Sequence, residues 1–105
     1  MILSLAGNDI IFPLWGNDII DGGPGEDYVD YYHSNSSVYV NLSSNSSSIP
    51  PYKNDVLYNI EDIVGSNFND YLTGSLVNNK FIPNRGNDTV DGFSGTQNWI
   101  LYNES

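Results

Sequence analysis

The chain has 105 residues, 13 acidic side chains against 3 basic ones, a formal charge of −10 and no cysteine. That charge argues against nucleic acid and anionic membrane surfaces, which both reward Lys and Arg, and makes a cation the natural partner. Without Cys, disulfides and thiolate metal sites are excluded and oxygen-ligated metal stays open; no stretch approaches the ~18 apolar residues of a membrane span.

The length suits one domain, 1–105, with a modest core that needs further support. Of the acids, 10 are Asp and 3 are Glu, and Asp is the carboxylate that suits turns and metal loops. The opening MILSLAGND is too short and too soon polar to read as a signal peptide. Export, if it occurs, is expected by another route.

From the N-terminus the residues fall into blocks of nine: SLAGNDIIF (4–12), PLWGNDIID (13–21) and GGPGEDYVD (22–30). Each has Gly at the fourth place and Asp at the sixth, and only the third has glycine at its first two places. Each block reads as a tight turn, a carboxylate and a three-residue strand. After Tyr31, Tyr32 and His33 the register breaks. Val38, Val40 and Leu42 alternate as one face of a strand over about 37–42, and Ser/Asn-rich sequence predicts a flexible loop to about Tyr52. In DVLYNIEDIVG, the side chains of Leu57, Ile60 and Ile63 are expected to point inward.

The nines resume as GSNFNDYLT (65–73), GSLVNNKFI (74–82), PNRGNDTVD (83–91) and GFSGTQNWI (92–100). The repeats thus cover 4–30 and 65–100, around an insertion of about 31–64. In the seven clear blocks the eighth place is Ile11, Ile20, Val29, Leu72, Phe81, Val90 and Trp99, all apolar. Such a period predicts an all-β fold, a parallel β-helix or β-roll whose short strands bury themselves by stacking. Turns in which Asp merely bonds backbone amides would explain neither the ninefold register nor the apolar eighth place.

GGPGEDYVD, with LWGNDIID before it and NRGNDTVDG after, resembles the glycine- and aspartate-rich nonapeptide of the RTX, or haemolysin-type, calcium-binding repeat proteins. VYVNL followed by DVLYNIEDIVGSNFNDYLTG is similar to a segment often found between repeat blocks in bacterial members. The resemblance spans about residues 4–100. It implies a right-handed parallel β-roll with two nonapeptides per turn and Ca²⁺ in the loops between turns. Sixth-place carboxylates two blocks apart should then share an ion, Asp9 with Asp27 and Asp70 with Asp88. Main-chain oxygens around Gly7, Gly22, Gly23, Gly25, Gly65 and Gly86 would complete the ligand set, as Ca²⁺ requires several oxygens. Asp18 is a further candidate without a clear partner eighteen residues on, and Asp55 is a sixth-place residue whose neighbour is not assignable. Asn79 and Gln97 replace sixth-place carboxylates, and Phe68 and Val77 replace fourth-place glycines. These departures set the expectation at about two to four ions, clustered where the pattern is intact.

The resemblance further implies a non-enzymatic scaffold of a secreted bacterial protein, unfolded where calcium is scarce and folded where it is plentiful. A different reading is an accessory module that binds a polysaccharide or a partner protein, with structural calcium. It rests on the outward Ile10, Phe12, Ile19, Tyr28 and Tyr71, which are more apolar than a solvated face requires unless the insertion or the chain ends cover them. His33, near Asp30 and Ser34, Ser36 and Ser37, lacks the ordering context of a catalytic triad and reads as a loop or packing residue. Glu61 and Asp62 are adjacent on a strand, point to opposite faces, and do not make a glycosidase pair. The Asn-x-Ser sequons at Asn35, Asn41, Asn45 and Asn103 follow from composition.

Overall fold

The computed structural model describes residues 2–3, 6–13, 17–49, 53–75, 79–92 and 99–100. Trp15, Gly16, Val77 and Gln97 lie outside the described residues, as do the side chains of Trp99 and Ile100.

Among the described residues there are strands and no helix, so no helix is long and apolar enough to cross a membrane. The strands are β1 (Ile2–Leu3), β2 (Ile10–Ile11), β3 (Ile19–Asp21), β4 (Tyr28–Asp30), β5 (Tyr39–Asn41), β6 (Ser46–Ile49), β7 (Lys53–Tyr58), β8 (Asp62–Val64), β9 (Tyr71–Thr73), β10 (Lys80–Ile82), β11 (Thr89–Asp91) and β12 (Trp99–Ile100). In the clear blocks they fall on the last three places, where an apolar residue sits between two others. Three residues cannot bury themselves alone, so each strand depends on its neighbours.

Two sheets result. One runs β1-β3-β7-β6-β5-β9-β11 and the other β12-β10-β8-β4-β2. Outside β5–β7, successive strands alternate between the sheets, and strands side by side are parallel. Strands eighteen residues apart pair in register: Ile11 with Val29, Ile63 with Phe81, Leu72 with Val90. The last pairing slips by one, because Phe81 lies opposite Ile100 and Lys80 opposite Trp99. Trp99 was expected to stand opposite Phe81 in the eighth-place ladder, and that position belongs to Ile100.

The eighth-place side chains line the space between the sheets. Ile20, Val29, Ile63 and Phe81 are fully buried, with Ile11 and Leu72 nearly so and Val90 packed against them. Burying one such side chain contributes about 1.5–3 kcal/mol, which makes this ladder the main apolar support of the fold. Val38, Val40, Leu42, Leu57 and Ile60 extend the same core, as their spacing predicts.

The insertion departs from the sequence expectation. The Ser/Asn-rich stretch read as loop contains β6, antiparallel to both β5 and β7 and paired on both sides. Asn45 turns the chain at φ 58°, and the Asn41 side chain accepts from the amides of Ser43 and Ser44 at 3.0 and 3.2 Å. A serine strand holds here because Ser47, its inward residue, bonds buried partners: its hydroxyl meets the Tyr31 hydroxyl and donates to the Asp55 carboxylate at 3.5 Å. The insertion widens one sheet from within and does not cover the outer face. Ile10, Phe12, Ile19 and Tyr71 remain exposed, while Tyr28 is half-buried.

Candidate functional site

The strand register brings the sixth places into two files. One contains Asp9, Asp27, Glu61 and Asn79, and the other Asp18 with Asp55, and Val38, Asp70 and Asp88. Within each file, a carboxylate reaches across one strand spacing to the amide of its neighbour. Asp9 N–H donates to Asp27 Oδ1 at 2.9 Å, and Asp27 N–H to Glu61 Oε1 at 2.8 Å. Asp18 N–H donates to Asp55 Oδ1 at 2.9 Å, Val38 N–H to Asp70 Oδ1 at 2.9 Å, and Asp70 N–H to Asp88 Oδ1 at 2.8 Å. The two predicted pairs are therefore neighbours, and Asp18 has the partner, Asp55, that the sequence left unassigned.

Glycine makes room for these side chains. At Gly25 (φ 113°) a Cβ would overlap the carbonyl of Gly7, and at Gly86 (φ 101°) the carbonyl of Phe68, so these two fourth-place glycines rest on the backbone of the block two before their own. First-place glycines face the sixth-place side chain of their own block. A Cβ on Gly65 would stand 2.6 Å from Asp70 Oδ2, and one on Gly22 would stand 2.8 Å from Asp27 Oδ2 and overlap the carbonyl oxygen of Asn59. Gly7 has φ 117° with open space about it, and Gly23 N–H donates to Asp21 Oδ1 at 2.9 Å.

The sixth-place groups differ in how far the protein satisfies them. Asp70 is fully buried, and besides Val38 N–H it accepts from Ser66 N–H at 2.8 Å and Ser66 Oγ at 2.6 Å. Asp55, also buried, accepts from the Tyr31 hydroxyl at 2.8 Å. Asn79 is a neutral substitute, taking Ser75 N–H at 3.0 Å and donating to the Glu61 carbonyl at 2.7 Å. Asp27 is different: it is fully buried, and its Oδ2 accepts no hydrogen bond. A buried carboxylate oxygen with no donor is costly.

Electrostatics follow the same division. Burial, opposed by the Asp9 amide and reinforced by the Asp9 and Asp21 charges, holds the Asp27 carboxyl above the usual range. Burial likewise raises Glu61, with the Asp27 charge adding to it, and raises Asp88. It pushes Asp70 up to about 6 against the pull of Ser66. On the outer face of β8, burial first and then Glu26 push Asp62 up to about 8; there Glu26 also pairs with Lys80 at 3.3 Å. By contrast Asp21, bonded by Asn59 Nδ2 and Gly23 N–H, is held below the usual range. Many of these carboxylates thus lack compensating positive charge.

Among the described residues no three acidic, histidine or cysteine side chains converge on one point. A cation here would be held by one or two carboxylates together with main-chain oxygens. Asp27 Oδ2 and the Asn59 carbonyl, which both approach Gly22 too closely for a Cβ to fit, are hard oxygen donors of the type that suits Ca²⁺. The Asp70 pocket fits less well, because its carboxylate already has protein donors.

Several contributors escaped the sequence reading. Glu61 is the sixth residue of the nine ending just before Gly65, the block whose eighth residue is the inward Ile63; continuing the frame backward from Gly65 would have found it. The fifth-place asparagines bridge neighbouring turns in the same way on both sides, with Glu26 N–H donating to Asn8 Oδ1 at 2.8 Å, Asn54 N–H to Asn17 Oδ1 at 2.8 Å and Asn87 N–H to Asn69 Oδ1 at 2.7 Å. Repetition of Asn before Asp was the available signal. His33 is exposed, packed edge-on to Tyr32 with ring centroids 5.3 Å apart and near Phe12 at 6.3 Å.

Comparison with protein-family models and with curated proteins finds no match to this chain.

Proposed function

We propose that the chain is a Ca²⁺-binding module of the RTX type, a right-handed parallel β-roll interrupted by the β5–β7 hairpins, and a non-enzymatic scaffold of a secreted bacterial protein. The observation that carries this reading is the orphaned, fully buried Asp27 Oδ2, packed with the Asn59 carbonyl so closely against Gly22 that no Cβ fits there. The alternation of parallel strands between two sheets, in a register of eighteen, supports the architecture.

Asp27 and the Asn59 carbonyl would hold the ion, with Asp9 as the neighbouring carboxylate. Asp88, beside Asp70, and the exposed turn at Gly86 form a weaker second position. Bound calcium supplies the positive charge that lets adjacent buried carboxylates stay ionised. The residues themselves carry the coupling to folding: Asp27 joins the first repeat set to β8 through Asp9 and Glu61, so satisfying Asp27 tightens both. Where cations are scarce, the same carboxylates repel one another and loosen the stack. Circular dichroism of the chain in EDTA and then in excess CaCl₂ tests this. A gain in β signal and in melting temperature is expected, and unchanged spectra and melting would overturn the reading.

A further inference from the structure

We propose that the outer face of the larger sheet carries a binding trough for a neutral glycan, centred on β6. Tyr39 and Tyr71, opposite one another on β5 and β9, stack with ring centroids 5.0 Å apart and planes 2° from parallel. Both are about half exposed, at 47% and 51%. Because the rings stack along the direction in which the strands pair, Tyr39 turns its second face toward β6. There the side chains are small. Ser46 and Ser48 alternate with the buried Ser47 and so point outward, and beyond them Asn54 and Val56 of β7 form the opposite wall. The result is an open depression of about 480 Å³.

The lining selects the occupant. An aromatic face suits the C–H face of a pyranose ring, and hydroxyls and amides beside it can donate to and accept from sugar hydroxyls. Among the described residues that line the trough, the one carboxylate, Asp55, is 2% exposed and turned inward to Tyr31. An uncharged lining on a chain of charge −10 disfavours a polyanionic glycan. A peptide adding as a strand is also disfavoured, because β6 is paired along both edges. The site does not depend on the calcium reading, since its walls belong to β5, β6, β7 and β9 and none of its side chains is a proposed ion ligand.

The test is NMR of protein with ¹³C-labelled tyrosine rings in calcium-containing buffer, titrated separately with cellohexaose, xylohexaose, laminarihexaose and maltohexaose, with a galacturonate oligomer as the charged comparison. At least one neutral oligosaccharide should give saturable shifts at Tyr39 and Tyr71, weakened at least about tenfold by Tyr39→Ala. Ser46→Gln, which raises the floor of the trough, should weaken the same binding, so the assignment stays testable if Tyr39→Ala lowers the melting temperature. The proposal is overturned if no neutral probe shifts these rings, if both variants bind as the parent does, or if only the charged oligomer binds. It is equally overturned if ultracentrifugation finds a dimer that Tyr39→Ala dissolves, which would make this face a contact between two copies.

Discussion

The amide of Asp9 donates to Asp27 Oδ1 at 2.9 Å across eighteen residues, while the other oxygen of the same carboxylate is buried without a donor. One half of Asp27 is therefore structural, and the other half is available to a cation.

Substituting Asp27→Asn keeps an acceptor for Asp9 and removes the buried charge. In EDTA near pH 7.5 the variant should be as stable as the parent or more so, because burial already disfavours the ionised form. In millimolar calcium the order should reverse, with the variant gaining much less than the parent. Melting curves in the two buffers check the crossing.

Glycine substitutions separate overlap from backbone strain. Gly25→Ala would combine φ 113° with overlap of the Gly7 carbonyl, for an expected loss of about 2–5 kcal/mol. Gly7→Ala shares the positive φ but has open space around it, so only the strain of about 1–3 kcal/mol is expected. Urea unfolding of the two variants gives the comparison.

The raised carboxylates set a pH dependence for the ion-free chain. A carboxyl whose folded pKa exceeds its unfolded value takes up a proton on folding. Its contribution is fully present below about pH 4 and is lost as pH rises through the folded pKa. For Asp70 that loss falls around about 6, and for Asp62 around about 8. Melting temperatures in EDTA should therefore fall from pH 5 to pH 9. Calcium affinity should rise with pH through the same range, since protons compete for the carboxylates.

Tyr31→Phe tests how β6 is anchored. The variant removes the buried hydroxyl that donates to Asp55 at 2.8 Å and also meets Ser47. Leaving Asp55 short of a donor should cost about 1–3 kcal/mol. Amide exchange should accelerate in β6 and β7 ahead of β10, which draws its support from the Phe81 ladder.

Much of this arrangement was legible because the repeat is short and its roles are fixed by place. The apolar eighth place located the strands, and the sixth place located the Asp9–Asp27 and Asp70–Asp88 pairs. What escaped was non-local. Ser46–Ile49 carries no apolar alternation, and its strand state depends on Tyr31 and Asp55, which are 16 and 8 residues from Ser47. The partnership of Asp18 with Asp55 spans 37 residues, a distance set by the length of the insertion and not by the nonapeptide period. The slip at β12 follows the same logic, because pairing with β10 decides that register and the nine-residue count does not.

Calorimetric titration of CaCl₂ into the EDTA-stripped, dialysed chain, run beside Asp27→Asn, tests the central claim most directly. Saturable binding to the parent and the loss of at least one ion per chain in the variant are expected. Absence of binding to the parent, or an identical isotherm for the variant, would contradict the claim.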